Sequence, residues 1–152
     1  MSTVHVNIKI DAPIEDVWAT VMDPKRLGEW VTIHRRLKDV SGDPLTPGSK
    51  MEQVLHMRGV SFNVRWTLVE VDAPNHAVWQ GRGPAHSKAE IRYGLSQNGA
   101  DGTDFDYTNE FSTPGGPLGR VASRVIVGAA SEREASGSLK RLKALLERDK
   151  AA

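Results

Sequence analysis

The sequence contains no cysteine, which excludes disulfide staples, thiolate nucleophiles and cysteine-ligated metals. No stretch of it approaches the ~20 apolar residues of a membrane-crossing helix, so no membrane span is expected. It has no excess charge of either sign, since 20 basic and 19 acidic residues leave a formal net charge of +1. Nucleic acid is therefore not an expected partner, because phosphate binding needs a clustered basic face. The 5 histidines, at positions 5, 34, 56, 76 and 86, fall in none of the HxH, HxxxH or HExxH spacings that place two ligands on one face. Neither a metal nor another cofactor is expected. There is no GxSxG elbow, and no helix pattern follows Gly81-Arg-Gly-Pro84, so neither a serine nucleophile nor a dinucleotide loop is indicated. Met1 to Ile10 lacks the basic and apolar regions of a signal peptide, and the expected compartment is the cytoplasm.

What is present is an ordinary globular composition, 39% hydrophobic and 26% charged over 152 residues, read as one domain spanning 1–152. Val4, Val6, Ile8 and Ile10 alternate with His5, Asn7 and Lys9, the period of a half-buried strand. Pro13 then opens a helix with Glu15 and Asp16 in its first turn and Ile14, Val17, Trp18 and Val21 on one face. Asp23-Pro24 starts a second short helix carrying Leu27 and Trp30. From about residue 33 to 113, turn-forming clusters separate six further strands. The connections are short, so neighbouring strands are expected to be antiparallel. Residues 118 to about 148 contain no proline and carry Val121, Val125, Leu139, Leu142 and Leu146 at helical spacing. At 1.5 Å per residue, that helix would run about 45 Å.

Two hairpin registers can be worked out from the pattern. Around Gly59-Val60, a II′ turn pairs Met57 with Phe62, Leu55 with Val64 and Gln53 with Trp66. In the last hairpin, pairing Tyr93 with Phe105 sets Arg92 opposite Asp106 and Lys88 opposite Glu110, whereas a two-residue slide would set Glu90 against Glu110. The first register is expected, with Asp104, Asp106 and Glu110 as solvated outer-face carboxylates. The apolar face then needs a cover, and only the C-terminal helix is long enough. The expected fold is α+β of helix-grip type. It has a seven-stranded curved antiparallel sheet, two short helices after strand 1 and one long C-terminal helix.

The run VNIKIDAPIEDVWATVMDPKRLGEW resembles the opening of the START/Bet v 1-like superfamily, specifically bacterial SRPBCC proteins of the polyketide cyclase/dehydrase type. Ala12-Pro13, Val17-Trp18, Asp23 and Trp30 carry the likeness, together with GSKMEQVLHMRG and SLKRLKALLE. EWVTIHR is also similar to a subgroup described as toxins of toxin–antitoxin pairs. The resemblance implies a cavity between sheet and helix.

The expected lining is Trp30, Leu55, Met57, Phe62, Val64, Trp66, Trp79 and Val125, with Gln53, Tyr93, Tyr107 and Asn109 as polar groups that bond either each other or a ligand. Arg35 joins them if Ile33 and Leu37 face inward; the opposite parity places His34 and Arg36 inside. Glu132, on the helix stripe, is either a salt-bridge partner or a cavity acid. The expected function is binding of a hydrophobic small molecule, lipid, aromatic or polyketide-like, by a monomer or homodimer. The alternatives are a cofactor-free polyketide cyclase/dehydratase, for which no catalytic residue is assigned, and a toxin-like protein-interaction module.

Overall fold

The computed structural model describes residues 2–42, 45–112 and 127–151, with the side chains of the last two excepted. Strand β1 (Ser2–Ile10) leads into helix α1 (Ile14–Val21). Pro13 sits just before the helix, and its carbonyl accepts from the amides of Asp16 and Val17 at 3.0 and 3.1 Å. Asp23 caps the 3-10 turn Pro24–Arg26 by accepting from the Lys25 amide at 3.0 Å, with Pro24 supplying the pre-set φ of a first turn. Helix α2 (Leu27–Trp30) completes the insertion.

Six strands follow: β2 (His34–Ser41), β3 (Lys50–Met57), β4 (Val60–Asp72), β5 (His76–Arg82), β6 (Lys88–Asn98) and β7 (Gly102–Ser112). With β1 they form one antiparallel sheet in the order β1-β7-β6-β5-β4-β3-β2. The C-terminal helix α3 (Glu132–Ala151) lays Leu139, Leu142 and Leu146, all buried, against the sheet's inner face. This is the expected helix-grip architecture.

Both hairpin registers are two residues from expectation. Met57 pairs with Val60, Leu55 with Phe62, Gln53 with Val64 and Met51 with Trp66. The loop is therefore Arg58-Gly59, and its φ values of 52° and 79° make a I′ turn, whose twist matches that of the flanking strands. In the last hairpin Tyr93 faces Tyr107, and Glu90 does stand opposite Glu110. The Glu90 carboxylate is held by Arg92 at 2.6 Å and Gln80 at 3.2 Å on a solvated face, where like-charge opposition costs little. Inside, the same register sets the Tyr93 ring against Phe105 at 5.5 Å and Tyr107 at 6.2 Å. Asp106 accordingly meets His5 at 2.6 Å rather than Arg92. Because both slides are by two residues, every side chain keeps its face.

The expected continuous helix over 118–148 is also corrected. A helical turn at 127–129 ends in a bend before α3 begins, and residues 113–126 lie outside the described residues. Ser131 caps α3, its Oγ accepting from the Glu134 amide at 3.3 Å, in a Ser-Glu-Arg-Glu sequence with the spacing of a capping box.

Candidate functional site

The sheet curls around α3 without being filled by it. Between them lies a cavity of about 130 Å³, far above the ~10–15 Å³ that holds one water. Its walls are the inner faces of β3 to β7, helix α2, the β5–β6 turn and the first turns of α3.

Of the expected site residues, Trp30 closes one end from α2. Its ring meets Tyr93 edge-on at 6.3 Å. Gln53 and Leu55 line the cavity from β3, and Phe62, Val64 and Trp66 from β4. Trp79, Tyr93, Tyr107 and Asn109 complete it from β5, β6 and β7. Trp66 can lie flat on the sheet because its cross-strand partner is Gly81. A β-carbon there would stand 2.5 Å from the indole.

Among the described residues, two expected ones, Arg35 and Met57, are not in the lining. Arg35 is exposed on β2. The pairing slips between His34 and Arg36, so Arg35 is the extra residue of a bulge and leaves the alternation on which its inward placement depended. Met57 lies beyond the cavity beside Gly128, whose β-carbon would be 3.6 Å from the Met57 Cε. Val125 lies outside the described residues. Glu132 is exposed, and the acid that borders the cavity is Glu134, two residues on. Its carboxylate accepts from the Thr32 hydroxyl at 2.6 Å, while the Thr32 amide donates to Ser138 Oγ at 3.0 Å. These bonds fasten the start of α3 to the segment after α2. The Ser131–Glu134 capping pattern was the sequence signal for this cluster, since it fixes where α3 begins and hence which face looks inward.

The polar groups inside divide into bonded and unbonded. Gln53 is engaged at both ends: the Trp66 indole Nε1–H donates to its Oε1 at 3.0 Å, and its Nε2 donates to His34 Nδ1 at 2.9 Å. Asn109 Nδ2 reaches only 3.5 Å toward the Tyr107 hydroxyl, a marginal bond. Asn109 Oδ1 and Trp30 Nε1 are buried with no partner. Burial holds the Tyr93 hydroxyl well above the usual phenol range and pushes Tyr107 up to about 12, against the opposing pull of the Asn109 bond. Both tyrosines thus remain neutral donors near pH 7. Burial lowers the His34 pKa and favours its neutral form.

Among the described residues, no group of three or more His, Cys, Asp or Glu could hold a metal ion. No helix among them is long and apolar enough to cross a membrane.

Known structures share this fold. The Zhui aromatase/cyclase of Streptomyces sp. R1128 superposes with a TM-score of 0.78 at 13% identity, covering 97% of this chain and 94% of that one. A protein from Thermus thermophilus gives 0.78 at 16% identity, covering 97% and 99%. In sequence, an uncharacterised protein of Mycobacterium tuberculosis is 28% identical over 130 residues, covering 81% of this chain and 88% of its own. A protein of the same organism named as a toxin is 25% identical over 91 residues, 60% of this chain, and the match spans 63% of the toxin's length. The profile of the family described as polyketide cyclase / dehydrase and lipid transport matches residues 1–147, and the chain belongs to that family.

Proposed function

We propose that the cavity binds an uncharged, largely apolar small molecule, lipid-like, aromatic or polyketide-like, that carries hydrogen-bonding oxygen. The observation behind this is the pair of orphaned atoms, Trp30 Nε1 and Asn109 Oδ1, on side chains only 2% and 7% exposed. Leaving such an atom unbonded costs about 1–3 kcal/mol. One is a donor and the other an acceptor. A ligand with a hydroxyl and a carbonyl satisfies both, while its apolar body replaces water against the aromatic wall.

The interior argues against proton abstraction. Tyr93 and Tyr107 stay protonated and can donate but not act as bases near neutral pH. His34 Nδ1 is taken by Gln53, and one oxygen of the Glu134 carboxylate, Oε2, accepts from Thr32. An acid–base pair poised over a substrate, which cyclisation or dehydration needs, is not assembled among these groups.

Three of the 4 tryptophans, at 30, 66 and 79, line the cavity, so occupancy is readable by intrinsic fluorescence. Titration with 1-naphthol should give a saturable one-to-one change, and Asn109→Leu should weaken it by about tenfold, the equivalent of one hydrogen bond near 1.4 kcal/mol. A non-saturating response, identical in the variant, refutes the reading.

A further inference from the structure

The Trp66–Gln53–His34 chain has only one possible direction. Indole Nε1–H can only donate, so the Gln53 atom at 3.0 Å from it must be the amide oxygen. The Gln53 atom at 2.9 Å from His34 Nδ1 is then the amide nitrogen, which can only donate. Nδ1 must therefore accept, which makes His34 a neutral imidazole with its proton on Nε2. Protonated His34 cannot fit this arrangement, because Nδ1–H would point at an amide N–H.

The conflict has a preferred resolution. If the Gln53 amide turns over, its oxygen accepts a charge-assisted bond from the imidazolium, roughly twice as strong as the neutral indole bond it gives up. The amide NH2 then faces the Trp66 indole N–H, donor to donor. Gln53 and Trp66 both line the cavity and are 5% and 6% exposed, so water reaches them poorly. Two donors are left for whatever occupies the hollow.

We propose that His34 is a protonation switch for the cavity wall: its neutral form keeps the Trp66 indole N–H engaged internally, and its protonated form releases that donor to a ligand carbonyl. The ligand half of this proposal rests on the binding reading above; the switch itself does not.

The surroundings leave His34 to titrate by itself. Helix α2 presents Gly28 to the ring, where a β-carbon would lie 3.3 Å from Cδ2. The charged group of that helix, Glu29, is held by Arg26 of the preceding turn at 2.7 Å, and Lys25 of that turn takes part in the Asp23 cap through its backbone. On β3, Glu52 is tied to Lys38 at 3.2 Å and to Arg65 at 3.3 Å, and His56 is bonded to Ser61 at 2.8 Å. On its own strand Arg35 and Arg36 are exposed, and Glu134 of α3 is held by Thr32. Burial is the cause of the lowered pKa, so the switch operates on the acid side of the ordinary imidazole value of about 6.5.

The test has a ligand-free arm and a ligand arm. In ligand-free, 15N-labelled protein at neutral pH, the His34 ring should carry its proton on Nε2. The Trp66 indole signal, assigned by its loss in Trp66→Phe, should move with the His34 midpoint, and Gln53→Met should abolish that coupling. A Trp66 signal that stays fixed while His34 titrates, or a neutral His34 protonated on Nδ1, overturns the switch. In the ligand arm, naphthalene is compared with 2-acetylnaphthalene, which adds a carbonyl acceptor. The affinity ratio in favour of the ketone should rise about two- to tenfold on passing below the His34 midpoint, and should stay flat in Gln53→Met. An unchanged ratio in the wild type overturns the release of the donor. If neither compound binds at any pH, the binding reading fails and the indole signal alone decides the switch.

Discussion

Gly81→Ala is a single-methyl perturbation aimed at the cavity wall. A β-carbon at Gly81 would stand 2.5, 2.6 and 3.0 Å from three carbons of the Trp66 six-membered ring, where ordinary contact begins at 3.4 Å. Relief therefore requires the indole to retreat by roughly 1 Å, since backbone pairing between Trp66 and Gly81 fixes the other side. The retreat is into the hollow, which has room, so the steric term should sit near the lower end of the ~1–3 kcal/mol typical of overpacking. Moving the ring also stretches the 3.0 Å bond from the indole to Gln53 beyond useful length. Losing that buried bond adds about 1–3 kcal/mol. The sum is about 2–4 kcal/mol. For a chain of this size that is a fall in Tm of roughly 4–16 °C by calorimetry. The displaced ring should also shrink the cavity, so 1-naphthol affinity should fall in the same variant. A Tm change under about 1 °C with unaltered 1-naphthol binding refutes the picture of an indole lying flat on a glycine beside an open space.

The tyrosine environment predicts an alkaline effect. Both of the chain's 2 tyrosines line the cavity, and Tyr107 is pushed up to about 12. Phenolate absorbance should therefore not appear around pH 10 in the folded protein. A raised folded pKa contributes stability that is fully present below the unfolded value near 10 and is lost as pH rises toward 12, so unfolding and ionisation should come together. A normal titration near pH 10 with the fold intact would contradict this. At the β3–β4 turn, Arg58 holds φ at 52° ahead of Gly59, a position that asparagine occupies at lower cost. Arg58→Asn should stabilise by about 0.5–1 kcal/mol in urea unfolding, and a destabilisation would argue against the I′ loop.

The parts of the site legible in the sequence are those governed by period. Strict alternation along β3 to β7 placed Gln53, Leu55, Phe62, Val64, Trp66, Tyr93, Tyr107 and Asn109 on the inner face. That result survived two registers misjudged by two residues, because a slide of two preserves faces. Arg35 and Glu132 were left with two readings each, and those are the places where the period itself breaks, at a bulge in β2 and at the interruption before α3. A bulge has no reliable one-strand signature, since it exists only relative to the partner strand. The Ser131–Glu134 cap was visible as residues, but an uninterrupted helical stripe concealed it.

The sequence by itself determined the order of elements and the face that β3 to β7 turn inward, since backbone sterics and hydrophobic period act over a few neighbouring residues. It also excluded thiol chemistry, by composition alone. Only the tertiary structure decided that the enclosed side is hollow, that Gln53 is engaged twice, and that Trp30 Nε1 and Asn109 Oδ1 are left unpaired. Those properties depend on distances between residues far apart in the chain. They are set by how far the sheet's curvature carries its wall from the helix, which no local pattern encodes.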